Sequence, residues 1–313
     1  MKHFKYFETE AAYNTERNWN YIEPWVSWTE DNGVDWNKKK LQPLTFNILS
    51  DGEIGWKIGS GSLLRQIYYS RNGGVWLGIT STTSGNTIPV VSGDVLRFKG
   101  SVFPGSTYEN YSQFTSTCSF AASGNPGSLK YGEVTYGDEP LANGCYYYLF
   151  KDCTGLISAP ELPSTTLVDR CYACMFYGCT NLVSAPELPA MTLASDCYSN
   201  MFFKCSSLVS APELPATTLA SGCYFNMFNR CSSLVSAPEL PATTLTNSCY
   251  YQMFLNCSKI NEIRCYATDI SASSSLYHWL SGVSSTGTFY KATGVTYPSG
   301  ESGIPSGWTV VDV

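Results

Sequence analysis

The sequence predicts an α+β, mostly β fold in which a repeated unit fills the C-terminal half of the chain. Three observations carry this prediction. A block of 26 residues recurs from Cys145 onward, marked by pairs of cysteines. Short alternating runs separated by Gly, Asn and Ser occupy residues 44–131, which is typical of antiparallel strands. The 313 residues include 22 Tyr, 26 Gly and 16 Pro, a composition that favours β or repeat architecture over a helical bundle.

Residues 1–42 predict an N-terminal arm, because they are polar and aromatic with no sustained period. Two interpretations stay open. The segment is either a partly ordered tail or an anchor that becomes ordered on a partner. The second is favoured by four tryptophans that are too apolar for a solvated tail, namely Trp19, Trp25, Trp28 and Trp36.

Residues 43–132 predict an antiparallel β-sandwich of the immunoglobulin-like type. Ile67–Arg71 and Val75–Ile79 are separated by Asn72-Gly73-Gly74, which is the pattern of a hairpin. Asp94–Phe98 and Thr117–Phe120 predict further strands.

Residues 133–275 contain five repeat units, which begin at Cys145, Cys171, Cys197, Cys223 and Cys249. Counting each of these cysteines as position 0, constant apolar residues fall at positions 0, 1, 4, 5, 8 and 11, and varying residues at 2, 3, 6 and 7. At 100° per residue the constant positions share one helix face, so the spacing predicts a helical arm with a constant inside and a varying outside. The two prolines of the following Val-Ser-Ala-Pro-Glu-Leu-Pro exclude a helix and leave a short extended arm. Together the two arms predict one coil of a solenoid, with coils rising about 4.8 Å where strands pair in parallel.

Residues 276–313 predict a C-terminal cap, because an open last coil would expose apolar surface and an unpaired edge. Tyr277–Ser281 predicts a short helix in this cap. Gly287–Lys291 and Trp308–Val311 predict strands that close the end.

The repeat carries a resemblance to a known family. Its pattern Cys-Tyr-x-x-Met-Phe-x-x-Cys-x-x-Leu, followed by an extended Leu-Pro, resembles the BspA-type leucine-rich repeat over residues 145–275. The chain differs in its 26-residue period and in Met-Phe where the family has Ala-Phe. The stretch Tyr21–Asn37 and the closing Gly303–Val310 look like the ends of phage-tail and prophage members. The resemblance implies a recognition protein, either a bacterial surface adhesin or a phage virion component.

The thirteen cysteines predict free, buried thiols. Two cysteines eight residues apart on a helix are separated by about 12 Å, whereas a disulfide needs Cα atoms within roughly 7 Å. Cys171-Tyr-Ala-Cys174 has the spacing of a redox or zinc pair. We favour a structural interpretation, because Cys174 occupies a varying position that is expected to face away from the buried Cys171.

A column of carboxylates is predicted on the extended arm. It has three interpretations: solvated side chains, which we favour, a site for a hard cation such as Ca²⁺, or the acid and base of a glycosidase. Its members are Glu161, Glu187, Glu213 and Glu239. The chain has only two histidines, and His278, beside Trp279, is interpreted as structural.

The varying positions carry the functional hypothesis. Aromatic and polar residues there predict a ligand-binding surface on the outside of the coils, since exposed aromatic rows form interface hot spots or stack on sugar rings. Mutual packing across coils and contact with another subunit are the alternatives. The candidate binding residues are Tyr147, Tyr148, Tyr177, Phe203, Phe225, Asn226, Arg230 and Tyr251.

Composition narrows the function class. Charged residues make up 14% of the chain and the net charge is −6, so the basic stripe of a nucleic-acid binder is missing. The sequence has no stretch of eighteen apolar residues, so no membrane insertion is expected. No catalytic motif, cofactor or metal site is predicted.

We therefore expect a non-enzymatic recognition protein that binds a host-surface protein or glycan through its repeats and other assembly proteins through its arm. A homo-oligomer is compatible with the sequence. The first residues lack the apolar core of an export signal, which favours a phage tail component of the virion over an exported surface adhesin. A glycan-cleaving enzyme is the competing function.

Overall fold

The computed structural model describes residues 25–26, 38–107 and 109–313. The fold is mostly β, with several sheets. The predicted anchor arm, including Trp19, Trp28 and Trp36, lies outside the described residues apart from residues 40–42 and two short antiparallel strands, β1 (Trp25–Val26) and β2 (Lys38–Lys39). Its role therefore stays a prediction.

Two antiparallel sheets occupy residues 45–123. Their strands are β3 (Thr45–Ile48), β4 (Gly52–Ser60), β5 (Gln66–Arg71), β6 (Leu77–Thr80), β7 (Asn86–Val90), β8 (Val95–Gly100), β9 (Gly105–Thr107), β10 (Asn110–Ser116) and β11 (Phe120–Ser123). One sheet has the order β7-β4-β10-β9, and the other contains β11-β3-β8-β5-β6. A single α-helix within the described residues, α1 (Ser128–Tyr131), follows them.

The predicted hairpin is confirmed, because β5 and β6 pair antiparallel with Ile67 opposite Ile79. Its turn contains Asn72 and Gly73 at positive φ, as the sequence Asn-Gly requires. The predicted strand Thr117–Phe120 is wrong, because the chain crosses there from β10 in one sheet to β11 in the other.

The two sheets share an aromatic core. The ring of Phe46 on β3 lies 4.9 Å from that of Phe114 on β10, and Phe98 on β8 lies 5.0 Å from Phe114. These rings are buried because alternating residues of each strand face the opposite sheet.

The predicted helical arm of the repeat is wrong. Successive tight turns replace it in every unit. We call these stretches the turn segments; they are residues 144–153, 170–179, 196–205, 222–231 and 248–257. In each, alternate N–H groups donate to the carbonyl three residues earlier, as Met175 does to Tyr172. The intervening N–H groups donate to the next coil, as Phe176 does to Met201 at 3.0 Å. An α-helix would keep all of these bonds within one segment.

Every fourth residue of a turn segment has positive φ, which an α-helix does not allow. In the second unit these residues are Arg170, Cys174 and Gly178, with φ of 57°, 56° and 73°. The resulting four-residue period points two side chains inward and the next two outward. It therefore buries positions 0, 1, 4 and 5, as the sequence predicts, by a different backbone.

The extended arms of successive units form parallel bridges, such as Ser184 to Ser210 and Thr192 to Thr218. In the first unit this arm is β12 (Leu156–Ser158), which pairs parallel with β11. The first coil therefore continues the six-stranded sheet, whose full order is β12-β11-β3-β8-β5-β6. We call the coils from residue 144 to residue 283 the repeat stack.

A sixth coil follows the five that the sequence predicts. Residues 274–283 form another turn segment. Its Tyr277 carbonyl accepts a hydrogen bond from the N–H of Gln252 in the fifth coil. The predicted helix Tyr277–Ser281 is therefore wrong, and the same turns replace it. The stack ends in a parallel sheet of β13 (Glu262–Cys265), β14 (Gly287–Lys291) and β15 (Trp308–Asp312), which agrees with the two predicted closing strands.

Ring columns run through the core of the repeat stack. Phe150, Phe176, Phe202, Phe228 and Phe254 stack with centroids 5.6 Å apart. This column continues into the sheets, because Phe150 also stacks on Phe114 at 5.6 Å. A second column of buried tyrosines ends on Trp279, 6.2 Å from Tyr250. All thirteen cysteines are free and buried.

Candidate functional site

The candidate site is the surface formed by positions 2, 3, 6 and 7 of the turn segments, which we call the outer turn face. Its backbone N–H groups are used within and between coils, so side chains define its chemistry. All eight candidate binding residues lie on it. Arg230 is exposed. The other seven are half-buried, namely Tyr147, Tyr148, Tyr177, Phe203, Phe225, Asn226 and Tyr251.

Phe225, Tyr251 and Tyr277 form one continuous ring stack at position 2 of the fourth, fifth and sixth coils. The centroids are 4.5 Å apart between Phe225 and Tyr251 and 4.7 Å apart between Tyr251 and Tyr277. The planes differ by 9° and 21°. Tyr277 remains 41% exposed, so the stack reaches solvent.

Tyr177 and Phe203 form a second stack, at position 6 of the second and third coils. Their centroids lie 4.7 Å apart with planes 13° apart. Tyr148 meets Tyr177 edge-on at 5.9 Å and also packs on Tyr111 of β10. Mutual packing across coils, one of the alternatives for these aromatics, therefore does occur on a surface that is still partly open.

Cys174 was expected to face solvent, and this prediction is wrong. It is 5% exposed, because the hydroxyl groups of Tyr147 and Tyr148 lie over its thiol. Burial raises the pKa of Cys174 to about 11, and the two hydroxyls offset part of that shift. Cys171 is also buried, and burial raises its pKa to about 12. Both groups are thiols at neutral pH, so neither has the thiolate character of a reactive cysteine.

Two unpaired cations lie at the centre of the outer turn face. Lys204 and Arg230 occupy position 7 of adjacent coils, are both exposed, and form no ion pair with any described residue. Lys204 Nζ lies 5.5 Å from the centroid of the Phe203 ring. Burial, Asp152 and Cys174 raise the pKa of Tyr177, and the positive charge of Arg230 offsets part of that rise. Arg230 therefore lies near the Tyr177 hydroxyl.

Amide side chains run beside the ring stacks. Asn200, Asn226 and Gln252 occupy position 3 of consecutive coils at φ near 50°, a region that asparagine tolerates better than most residues. Asn226 Oδ1 accepts a hydrogen bond of 2.9 Å from Asn229 Nδ2. Asn229 Oδ1 is buried and has no hydrogen-bond partner among the described residues.

A pocket of about 280 Å³ lies where the sheets meet the first coils. Tyr147, Arg170 and Asp196 are part of its wall, and Arg170 Nε lies 3.2 Å from Asp196 Oδ2. Asp169 Oδ1 accepts the N–H of Ser195 at 3.2 Å. Both carboxylates thus have partners within the chain.

The glutamate column lies on the extended arms. All four side chains are exposed, in shallow grooves between prolines of neighbouring coils. Within the described ranges, no group of three or more His, Cys, Asp or Glu side chains is arranged to hold a metal ion. His278 Nδ1 lies 3.2 Å from Glu301 Oε2 at the C-terminal end of the outer turn face.

Three residues of this face escaped the sequence prediction. Tyr277 was assigned to the cap, and Lys204 and Asn200 lay between aromatics without a signal of their own. The residues at every fourth position could have revealed them, because Gly, Asn and Asp recur where positive φ is required, as at Asp152, Gly178 and Asn256.

Comparison with known proteins adds no relative: no family model, curated protein or solved structure matches the chain. Among the described residues, no helix is both long and apolar enough to cross a bilayer.

Proposed function

We propose that this chain is a non-enzymatic recognition protein that presents its outer turn face to a partner on a bacterial cell surface. The observation that carries the proposal is the solvent-reaching stack of Phe225, Tyr251 and Tyr277 on a backbone whose inner residues barely change between coils. Contiguous exposed aromatic surface on a rigid support is typical of binding sites. Either a protein or a glycan is compatible with this surface.

The finer architecture belongs to the same proposal. We propose that the repeat stack is a BspA-type leucine-rich repeat solenoid and that the two N-terminal sheets form an immunoglobulin-like sandwich. The 26-residue parallel bridges and the buried Leu of each unit support the first assignment. The antiparallel pairing of two sheets around Phe46 and Phe114 supports the second.

We propose a phage virion, at its tail, as the setting, with a bacterial surface adhesin as the alternative. Thirteen free and buried thiols support folding in a reducing compartment, which a virion protein encounters in the host cytosol. An N-terminal anchor arm would then attach the chain to other virion proteins.

Binding of the fluorescently labelled full chain to a panel of intact bacterial cells tests the proposal. The decisive variant is Phe225→Ala/Tyr251→Ala/Tyr277→Ala, because Ala173 occupies the same position in the second coil and the backbone tolerates it. The matched control is Val183→Ala/Val209→Ala/Val235→Ala, which removes exposed apolar side chains from the extended arms. We expect saturable binding that only the aromatic variant loses. No binding by the wild type, or equal loss in both variants, contradicts the proposal.

Incubation with mixed bacterial polysaccharides tests the non-enzymatic part. We expect no soluble product. Product release that Glu187→Gln abolishes would favour a glycan-cleaving enzyme instead.

A further inference from the structure

We infer that the partner of the outer turn face is a protein segment rich in acidic side chains, rather than a sugar. This inference rests on the proposed function and narrows its ligand class. It follows from three features: which part of each ring reaches solvent, the two unpaired cations, and the amide column between them.

Stacking covers ring faces on the outer turn face. Tyr251 lies between Phe225 at 4.5 Å and Tyr277 at 4.7 Å, so both of its faces are covered. One face of Phe203 is covered by Tyr177 in the same way. The covered ring of Tyr251 therefore offers only its edge and its hydroxyl group to solvent.

Ring edges and ring faces attract opposite charges. An aromatic ring carries negative charge on its faces and positive charge at its edge. The C–H groups of a sugar are attracted to an open face, which Tyr251 lacks. Carboxylate oxygens are attracted to an edge. The cations Lys204 and Arg230 lie beside the second stack, Lys204 next to Phe203 and Arg230 near Tyr177.

Within the part of the chain that the structure describes, neither cation has an acidic partner. Asp196 pairs with Arg170 and Asp169 accepts a backbone N–H. Asp152, at position 7 of the first coil, is exposed but forms no ion pair with Lys204 or Arg230. The chain has a net charge of −6, yet the middle of this face carries two exposed positive charges one coil apart. Charge complementarity therefore favours an anionic partner at this place on an otherwise acidic protein.

A polypeptide fits the remaining chemistry better than an acidic polysaccharide does. The half-buried side chains of Phe203, Phe225 and Leu255, which occupies position 6 of the fifth coil, need apolar groups to cover them, and a peptide carries apolar and acidic side chains together. The amides of Asn226 and Gln252 can exchange hydrogen bonds with a peptide backbone, since an amide both donates and accepts.

The test measures binding of the full chain to poly-L-glutamate, poly-L-lysine, polygalacturonate and a neutral hexasaccharide by biolayer interferometry. The decisive variant is Lys204→Asn/Arg230→Asn, since Asn256 occupies the same positive-φ position in the fifth coil and the fold should be retained. The matched control is Lys130→Asn/Lys259→Asn, which removes two positive charges elsewhere. Thermal unfolding of each variant checks the fold.

We expect poly-L-glutamate to bind and poly-L-lysine not to bind. The decisive variant should weaken poly-L-glutamate binding at least about tenfold, and added salt should weaken wild-type binding. The control should bind like the wild type. Absence of poly-L-glutamate binding, an unchanged affinity in the decisive variant, or equally tight binding of polygalacturonate overturns the inference.

The two proposals fail separately. If intact cells bind the Lys204→Asn/Arg230→Asn variant normally but not the aromatic variant, recognition stands and the acidic partner is wrong. If the chain binds the neutral hexasaccharide and Tyr251→Ala abolishes that binding, recognition again stands and the acidic partner is wrong. If the aromatic variant binds cells like the wild type, both proposals are wrong.

Discussion

The thiol of Cys205 donates a hydrogen bond of 3.1 Å to the carbonyl oxygen of Phe176 in the preceding coil. That oxygen also accepts the N–H of Cys179, so it has two donors. The same bond recurs from Cys179 to Phe150, from Cys231 to Phe202 and from Cys257 to Phe228, at 2.9 to 3.1 Å. The cysteines thus connect neighbouring coils as hydrogen-bond donors, without disulfides.

Cys205→Ala should destabilise the protein by about 1–2 kcal/mol, because it removes this bond and leaves a small cavity. Cys145→Ala is the matched control, since its thiol is equally buried but lies 3.6 Å from its acceptor, the carbonyl of Cys171. Urea unfolding followed by circular dichroism should show the smaller loss for Cys145→Ala. Equal losses would mean that volume alone matters.

Alkaline pH should unfold the protein. Burial raises the pKa of Cys153, Cys171 and Cys257 to about 12, against an ordinary value of 9.0. Below pH 9.0 both folded and unfolded chains hold these protons and stability is complete. Between the two values only the unfolded chain loses them, so stability falls with rising pH by about 1.4 kcal/mol per pH unit and thiol.

Because many buried thiols contribute, circular dichroism should report loss of structure once the pH exceeds about 9 to 10. Protein whose thiols were blocked in the unfolded state cannot serve as the control. The control for reversibility is therefore a return to neutral pH in the presence of reductant. Unchanged spectra at pH 11 would contradict the predicted titration.

Asn229→Leu should stabilise the protein by about 1 kcal/mol. Asn229 is 3% exposed, and its Oδ1 is buried without a partner among the described residues, which is unfavourable. Leucine already occupies the equivalent position as Leu255. The reciprocal change Leu255→Asn should destabilise. Chemical denaturation measures both, and a stability loss in Asn229→Leu would show that its bond to Asn226 is the stronger effect.

A fragment of residues 133–313 should not fold as the full chain does. The first coil depends on the sheets: Phe114 N–H donates to the Leu149 carbonyl at 2.8 Å, Gly105 N–H donates to that of Cys145, and Phe150 stacks on Phe114. Removing the sheets exposes this apolar end. We expect aggregation or binding of a hydrophobic dye by this fragment but not by the full chain. A soluble 133–313 fragment with an unchanged melting temperature would contradict this.

The burial of the repeat could be predicted, but its backbone could not. Positions 0, 1, 4, 5, 8 and 11 are buried in every unit, as Cys223, Tyr224, Met227 and Phe228 illustrate. Over nine residues, a period of 3.6 and a period of 4 place these side chains almost equally well on one face. The signal that distinguishes the two backbones is the residue type at the positive-φ positions. Helix propensity outweighed that signal in the prediction.

Relationships between coils were only partly predictable. The 26-residue spacing implies that Tyr177 stacks on Phe203, since both occupy position 6. It does not imply that Arg230 reaches Tyr177, two coils away, or that Tyr111 of the sheets packs on Tyr148. The sixth coil was missed because Trp279 and Leu280 stand where earlier units have Met and Phe.

Each coil contacts its neighbours through the same bonds, while β11 and β15 close the two ends. Residues 208–219 and 234–245 have the same sequence, as duplication of one unit produces. Unequal recombination between such copies inserts or deletes one whole unit and leaves both closing elements intact. The gene can therefore change the length of the outer turn face in single steps, so related chains should differ by multiples of 26 residues.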